Sequence, residues 1–279
     1  LPINPCGKVV VPTRPDLDDQ LDILKSRGIE NGATVELWDE KQLQKELPEV
    51  RSASGRAIWS PNTAVVKPLQ VIQALHKELE EKGVTFRLGE KNWTRGSSNQ
   101  ELQFSTGEKI SYNHLFNCAG LHADRIAHQF EVGLEYLLMP FKGLYWQLKN
   151  ECPIQPKVNV YPVPDLSVPF LGVHFTPSAD PQPIVSIGPT ATPAWGREHY
   201  RGWKGVEPGL LIKNASILAK QYILDQGSFR RYTHEQAFLS LQPLLLRSAQ
   251  KLIPRLHSAN IEISPKTAIR SQLFNKTSQ

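Results

Sequence analysis

The chain has 279 residues, and its 32 Lys and Arg residues against 27 Asp and Glu residues give a formal net charge of +5. Hydrophobic residues make up 40% of the chain and charged residues 21%, which is typical of a globular protein and argues against wholesale disorder. The basic residues are scattered, and no run of about 18 apolar residues occurs, so neither nucleic-acid binding nor a transmembrane helix is indicated.

The ends of the chain and its cysteines give two further expectations. The chain begins with Leu1 and has Met139 as its one methionine, so we expect a piece of a longer protein, cut at both ends. Cys6, Cys118 and Cys152 are odd in number and far apart, which supports neither a disulfide framework nor a zinc site. A reducing, cytoplasmic compartment is therefore expected.

The N-terminal part predicts a strand followed by two helices. Residues 6–12 form a short apolar run that predicts a strand. Leu residues at helical spacing predict a helix over 16–27, with Gly28 just beyond its end. Asp39 with Gln42 three residues later resembles a capping box and predicts the start of a short second helix.

The next part of the chain alternates between helix and strand. Pro68 suits the first position of an amphipathic helix, which Gly83 ends. Another helix is expected from Leu121 to about Phe130. Strands are predicted at 84–88, 101–104, 109–112 and 114–118. This order resembles part of a nucleotide-binding α/β unit.

From Pro140 to Gly188 the pattern changes to a β-rich one. Short apolar runs separated by Pro-rich turns predict an antiparallel region. Its strands are predicted at 143–148, 158–162, 169–175 and 183–187. Helical periodicity returns at 209–225 and 235–253, with Pro243 indicating a kink or a break in the second stretch.

The chain contains no GxGxxG, P-loop, GxSxG or HExxH motif, so hydrolase and metalloenzyme signatures are missing. Its strongest local signal is the stretch from Phe116 to Asp124, where a strand is expected to end at Ala119 and Gly120 and a helix to follow. Small residues there would let the backbone approach an anionic ligand closely. A plain strand–helix turn explains the same pattern.

Two further residues are candidates for chemistry. Lys142, next to Gly143 at a strand start, is suited to facing an acidic ligand, or to being an edge-strand lysine over packed aromatic residues. His174 lies among apolar neighbours on a predicted strand. It is either a hydrogen-bonded core histidine or a base with a pKa near the working pH.

Four motifs in this order, FNCAG with a following AD, PFKGLYW, YPVP with PFLGVHFTP, and TAIRSQ, resemble the L-2-hydroxyglutarate oxidase/dehydrogenase family. This family consists of FAD-dependent enzymes of the D-amino-acid-oxidase-like superfamily, and the likeness runs from about Pro5 to Gln272. It implies an α+β fold with a partial Rossmann-like FAD-binding domain and a β-sheet substrate domain. The domains implied are 1–60 (substrate), 61–132 (FAD-binding), 133–264 (substrate) and 265–279 (return to the FAD-binding domain).

The resemblance also implies a reaction, in which an α-hydroxy acid is oxidised and a hydride passes to the flavin. It makes His174 the base that accepts the hydroxyl proton. The binding residues implied are Arg270, Lys142 and Tyr161 for the substrate and Ala119, Gly120 and Lys91 for FAD. Two positions depart from the family pattern: Lys91 stands where Val is usual, and Ala268 where Gly is usual.

The partners implied are a small 2-hydroxy acid and an electron acceptor, either O₂ or a quinone. Nucleic acid is not expected, and peripheral contact with a membrane is left open beside the cytoplasmic location. Two alternatives remain: an oxidoreductase of the same superfamily with another hydroxy- or amino-acid substrate, and a non-catalytic fragment that does not hold FAD.

Because the 279 residues contain no GxGxxG turn, we predict that this chain alone binds FAD poorly. Purified chain mixed with FAD and then desalted should carry far less than one flavin per chain, measured by visible absorbance. Stoichiometric flavin after desalting would contradict the prediction.

Overall fold

The computed structural model describes residues 1–90, 92–98, 100–164, 172–225, 230, 233–234, 239 and 241–276. It confirms the α+β class, with helices and sheets combined. The chain divides into two compact units. Unit 1 comprises 1–74, 142–192 and 216–268, and unit 2 comprises 75–141, 193–215 and 269–279. The division into substrate and FAD-binding domains stays a prediction.

The helices are α1 (Asp19–Glu30), α2 (Glu40–Glu46), α3 (Pro68–Glu81), α4 (Ala123–Gln129), α5 (Pro208–Leu224) and α6 (Gln242–Gln250). The strands up to the middle of the chain are β1 (Ile3–Asn4), β2 (Lys8–Val11), β3 (Glu36–Trp38), β4 (Ala57–Ser60), β5 (Val65–Val66), β6 (Trp93–Arg95), β7 (Glu101–Phe104) and β8 (Lys109–Ser111). The later strands are β9 (Tyr136–Leu148), β10 (Asn159–Pro162), β11 (His174–Pro177), β12 (Val185–Gly188), β13 (Thr192–Pro193) and β14 (Ile261–Asn275). None of the helices in the described ranges is long and apolar enough to cross a membrane.

Most strands of unit 1 belong to a mixed sheet, of which β9, β13 and β14 also include residues of unit 2. Its strand order is β13-β9-β12-β11-β10-β2-β4-β3, and β14 also pairs with β9. Strand β10 pairs in parallel with β2, while β10–β11, β11–β12, β12–β9, β2–β4 and β3–β4 are antiparallel. The expected β-rich region therefore exists, but a parallel pair, β2 with β10, lies inside it.

One face of this sheet carries the main core of unit 1. Val9, Val160, Phe175 and Ile187 are fully buried there, contributed by four neighbouring strands. Helix α6 and the turn after it close the same core with Leu245, Ala249, Leu252, Ile253 and Leu256. Because side chains alternate along a strand, the residues next to these apolar ones point to the other face of the sheet.

The helix-end signals of unit 1 were partly right. Asp39 is the N-cap of α2, and its carboxylate accepts a hydrogen bond of 2.7 Å from the amide of Gln42, as predicted. The prediction for Gly28 was wrong, because α1 continues past it to Glu30. A Cβ at Gly28 would lie 3.1 Å from the side chain of Val35, so this glycine permits close packing and does not end the helix.

Unit 2 contains the predicted hairpin. Strands β7 and β8 pair antiparallel with Leu102 opposite Ile110, and β6 adds a third strand on the other side of β7. The turn places Gly107 at a φ of +87°, a conformation that favours glycine.

The strands predicted at 84–88 and 114–118 were wrong. Both segments lack strand structure, and most of their large apolar side chains are exposed: Leu88 is 79% exposed and Phe116 is 84% exposed. An apolar run forms a strand only where a neighbour completes its hydrogen-bond ladder, and the described residues supply no such neighbour for either segment. Helix α3 formed as predicted, but none of its residues is buried.

A buried ion pair holds unit 2 together at the start of α4. Arg197 and Asp124 are linked by contacts of 2.7 and 2.9 Å, and both side chains are less than a tenth exposed. Burial alone would raise the pKa of Asp124, but hydrogen bonds from Arg197 and from the amide of Leu138 outweigh it and hold that pKa below its usual range. Arg197 also donates to the carbonyl of Leu121.

We predict that Arg197→Met lowers the free energy of unfolding by about 3–5 kcal/mol, because it leaves the Asp124 carboxylate buried without its partner. Urea denaturation at neutral pH measures this loss. The matched control is Arg125→Met, which breaks an ion pair between the half-exposed Arg125 and Glu207 and should cost about 0–1 kcal/mol. Equal losses for the two variants would contradict the prediction.

Candidate active site

The centre of the candidate site is His174, the first residue of β11. Its side chain is buried, with 8% of the residue exposed. Its Nδ1 lies 2.9 Å from the carbonyl oxygen of Gly172, and its ring stacks on that of Tyr161 with centroids 4.0 Å apart and planes 17° apart. These two contacts fix both the position and the plane of the imidazole.

The surroundings of His174 hold its ring in the neutral form. Burial is the largest cause and, with the positive charges of Lys266 and Lys8, lowers its pKa to about 4 against the opposing effect of the Gly172 hydrogen bond. A carbonyl oxygen can only accept a hydrogen bond, so Nδ1 must carry the proton. Nε2 is then left with its lone pair, which makes it a proton acceptor at neutral pH.

The strand register brings other polar groups to the same face of the sheet. Val160 pairs with Phe175 and both point into the core, so their neighbours Tyr161 and His174 point to the opposite face. Lys8, next to the buried Val9 on β2, lies on that face too. The Tyr161 hydroxyl lies 3.4 Å from the hydroxyl of Thr176, a further residue of this face.

Two lysines lie over aromatic rings of this face. Lys8 Nζ is 5.3 Å from the centroid of Tyr161, and Lys266 Nζ is 4.6 Å from the centroid of Tyr145. Both distances allow cation–π attraction. Burial lowers the pKa of Lys266, and burial together with the neighbouring Tyr161 raises the pKa of Tyr145. The face therefore combines two ammonium groups, two phenols and an uncharged imidazole.

A glycine lies next to His174 on the adjacent strand, β12. Gly188 is the register partner of His174 and has a φ of +142°, which favours glycine. A Cβ there would lie 3.1 Å from the Leu144 carbonyl oxygen and 3.2 Å from Tyr145 Cδ1. The bare backbone at position 188 thus lets Tyr145 pack close to β12.

The structure brings together two of the predicted site residues, Tyr161 and His174. Lys142 lies half-buried on β9, where burial lowers its pKa and its carbonyl accepts from the Thr192 hydroxyl; no described contact joins it to His174. Arg270 is an exposed residue of β14 that belongs to unit 2. Lys91 lies outside the described residues.

Ala119 and Gly120 lie in an open turn of unit 2. Gly120 has a φ of +52°, and a Cβ there would meet no atom within 4 Å. The neighbouring Cys118 is exposed, so backbone groups of this turn are accessible. A turn of this kind fits a ligand that approaches the backbone closely, as expected for FAD at Ala119 and Gly120.

Three residues of the site were missed from the sequence: Lys8, Tyr145 and Lys266. Each stands in a strand in which every second residue faces away from the core. From the sequence alone, a single lysine at such a position cannot be told apart from a lysine that simply faces solvent. An even spacing along a strand, such as that from Lys266 to Arg270, is a signal that could have singled out Lys266.

The depressed pKa of His174 predicts a pH-dependent stability. Between the ordinary His pKa of 6.5 and about 4, the unfolded chain binds a proton that the folded chain does not, so stability falls as pH falls through this window. From pH 7 to pH 5 the loss from this group is about 2 kcal/mol.

Urea denaturation at pH 7 and pH 5 measures this contribution. His174→Gln should reduce the drop in unfolding free energy by about 2 kcal/mol, and His114→Gln, at an exposed histidine of unit 2, is the control. The same drop in the wild type and in His174→Gln would contradict the assignment.

Comparison with known proteins gives several relatives of one kind. L-2-hydroxyglutarate dehydrogenase, mitochondrial, of Caenorhabditis elegans is 29% identical and covers 99% of this chain and 64% of its own length. The Bos taurus protein of the same name is 32% identical over 97% of this chain and 60% of its own length, and the Mus musculus one 32% identical over 72% and 46%. The chain thus spans less than two thirds of each of these relatives.

Solved structures with a similar fold include L-alpha-glycerophosphate oxidase from Mycoplasma pneumoniae with FAD bound, at a TM-score of 0.64 and 16% identity over 98% of this chain and 62% of that one. Glycine oxidase from Bacillus cereus matches with a TM-score of 0.62 and 12% identity, over 99% of this chain and 62% of that one. At these identities the likeness concerns the fold. Residues 1–275, nearly the whole chain, match the family described as FAD dependent oxidoreductase. The chain therefore belongs to the FAD-dependent oxidoreductase family.

Proposed function

We propose that the protein oxidises L-2-hydroxyglutarate to 2-oxoglutarate with FAD as cofactor. The observation that carries the proposal is the buried, uncharged His174 stacked on Tyr161, on a polar face that holds two ammonium groups. Relatives named L-2-hydroxyglutarate dehydrogenase, at 28–32% identity, support the choice of substrate. They are longer than this chain, so the proposal concerns the whole protein.

In the proposed reaction the substrate loses a proton from its 2-hydroxyl and a hydride from C2, and a C=O bond forms. His174 Nε2 accepts the proton, since Nδ1 is already engaged with Gly172. The stack on Tyr161 keeps the imidazole ring in a fixed orientation while the proton is transferred. FAD, when bound, supplies the acceptor for the hydride.

The charge of the substrate helps the base. A carboxylate bound near Lys8 and Lys266 offsets the positive potential that these lysines place on His174. The pKa of His174 then rises towards the working pH, which is where a general base is most effective. In the enzyme without substrate His174 stays unprotonated, and in the proposed reaction substrate binding raises its pKa and makes it a stronger base.

The remaining assignments follow the family resemblance. We propose that Arg270 binds a substrate carboxylate, for which its guanidinium has the right geometry, and that Tyr161 and Lys142 also contact substrate. Ala119 and Gly120 would hold FAD through their backbone, and Lys91 is proposed beside them. The electron acceptor is O₂ or a quinone, and peripheral membrane contact stays a proposal.

The substrate is tested with the flavin-loaded, full-length enzyme under anaerobic conditions. L-2-hydroxyglutarate should bleach the flavin, and Arg270→Ala should lower kcat/KM by about 100-fold or more, because a charge-assisted pair with the carboxylate is lost. Arg255→Ala, at an exposed arginine, is the matched control and should leave the rate unchanged. Bleaching by D-2-hydroxyglutarate but not by the L form would overturn the substrate, and bleaching only by amino acids would favour a different oxidoreductase.

The base is tested by His174→Gln in the same enzyme. Loss of a general base should lower kcat by about 10²–10⁴-fold with a much smaller change in KM. His257→Gln serves as the control. An unchanged kcat for His174→Gln would remove His174 from the reaction and leave the family assignment intact.

A further inference from the structure

Lys266 and Lys8 are the two cations that lie over the tyrosine rings of the polar face. Among the residues that the structure describes, no Asp or Glu lies within ion-pair distance of either ammonium group; the nearest acidic residue along β14, Glu262, accepts from Gln147 instead. Each ammonium group lies over a tyrosine ring, on Tyr145 and Tyr161 respectively. A ring face attracts a cation without neutralising it, so both charges stay available to an anion.

The two cations act on one place. Lys8, from β2, lies over the Tyr161 ring that stacks on His174. Lys266, from β14, lies over Tyr145, which packs against Gly188, the register partner of His174. Lys266 is an exposed residue, so a ligand can reach its ammonium group. Because both lysines lie on the face that carries the proposed base, an anion that binds them lies on that face too.

We infer that Lys266 and Lys8 bind the carboxylate that 2-hydroxyglutarate carries beyond its hydroxy-acid end, and so select dianionic 2-hydroxy acids over monoanionic ones. This rests on the proposed function. Every 2-hydroxy acid has a carboxylate next to its hydroxyl, so that group gives no selection among them. With Arg270 proposed for one substrate carboxylate, the two lysines remain for the other.

The first test compares two substrates in the flavin-loaded, full-length enzyme. L-2-hydroxyvalerate has the five-carbon chain of L-2-hydroxyglutarate without the second carboxylate. Lys266→Met keeps the apolar stem over Tyr145 and removes the charge. It should lower kcat/KM for L-2-hydroxyglutarate by about 10- to 100-fold, mainly through KM, and leave that for L-2-hydroxyvalerate within about twofold.

Three variants complete this test. Lys8→Met should act in the same direction, Lys266→Arg should restore part of the loss, and Lys251→Met, at an exposed lysine of the same unit, should change nothing. Equal losses for the two substrates would overturn the inference, because the lysines would then serve the shared carboxylate or the stability of the fold.

A second test does not depend on turnover. Titration calorimetry should show glutarate binding more tightly than butyrate to the wild-type enzyme, and Lys266→Met should abolish that difference. In NMR titrations, bound glutarate should raise the pKa of His174, because it offsets the two lysine charges. If L-2-hydroxyglutarate is not oxidised but these results hold, the proposed function fails and the dianion site stands. Glutarate binding no tighter than butyrate, or binding equally to Lys266→Met, overturns the site.

Discussion

The register of the sheet in unit 1 is the constraint on which the candidate site depends. Strands β2, β10, β11 and β12 place one side chain in two in the core, and the alternate side chains form the polar face. Because the period is two, a shift of one residue in β11 would move Phe175 out of the core and His174 into it. The apolar residues therefore determine the position of the catalytic candidates, and the packing of the core is also what aligns the site.

Electrostatics on the polar face favour a neutral imidazole next to positive groups. A histidine in water would be partly protonated near neutral pH, whereas burial and two ammonium groups keep His174 uncharged. In the proposed function, this arrangement suits an anionic substrate in two ways. The lysines attract the anion, and the anion in turn reduces the field that weakens the base. Attraction and activation thus arise from the same two side chains.

Helices and strands were predicted correctly where a segment had a clear start signal of its own or a neighbouring strand to pair with. The runs that became β10 and β12 lie between neighbours in the sheet, and α3 carries its own start signal at Pro68. The segments 84–88 and 114–118 are also apolar, but no strand lies beside them in the part of the chain that the structure describes, and a strand cannot be inferred from its own residues alone. At the site, Tyr161 and His174 were found through a family motif. Lys8 and Lys266 were not predicted from the sequence. Their importance comes from the strand register and from the lack of an acidic partner among the described residues, and only the folded chain shows these two properties.

Because Gly188 has no side chain, it limits which substitutions the polar face can tolerate. The carbonyl of Leu144 and the ring of Tyr145, on the neighbouring strand β9, can pack against position 188 because no side chain stands there. Substitution there would both strain the backbone and push against Tyr145, the ring beneath Lys266. Even a single methyl group at position 188 would therefore displace Tyr145 and, with it, the ammonium group of Lys266 on β14, two strands away. The spacing of the polar face thus depends on the glycine as much as on the aromatic rings.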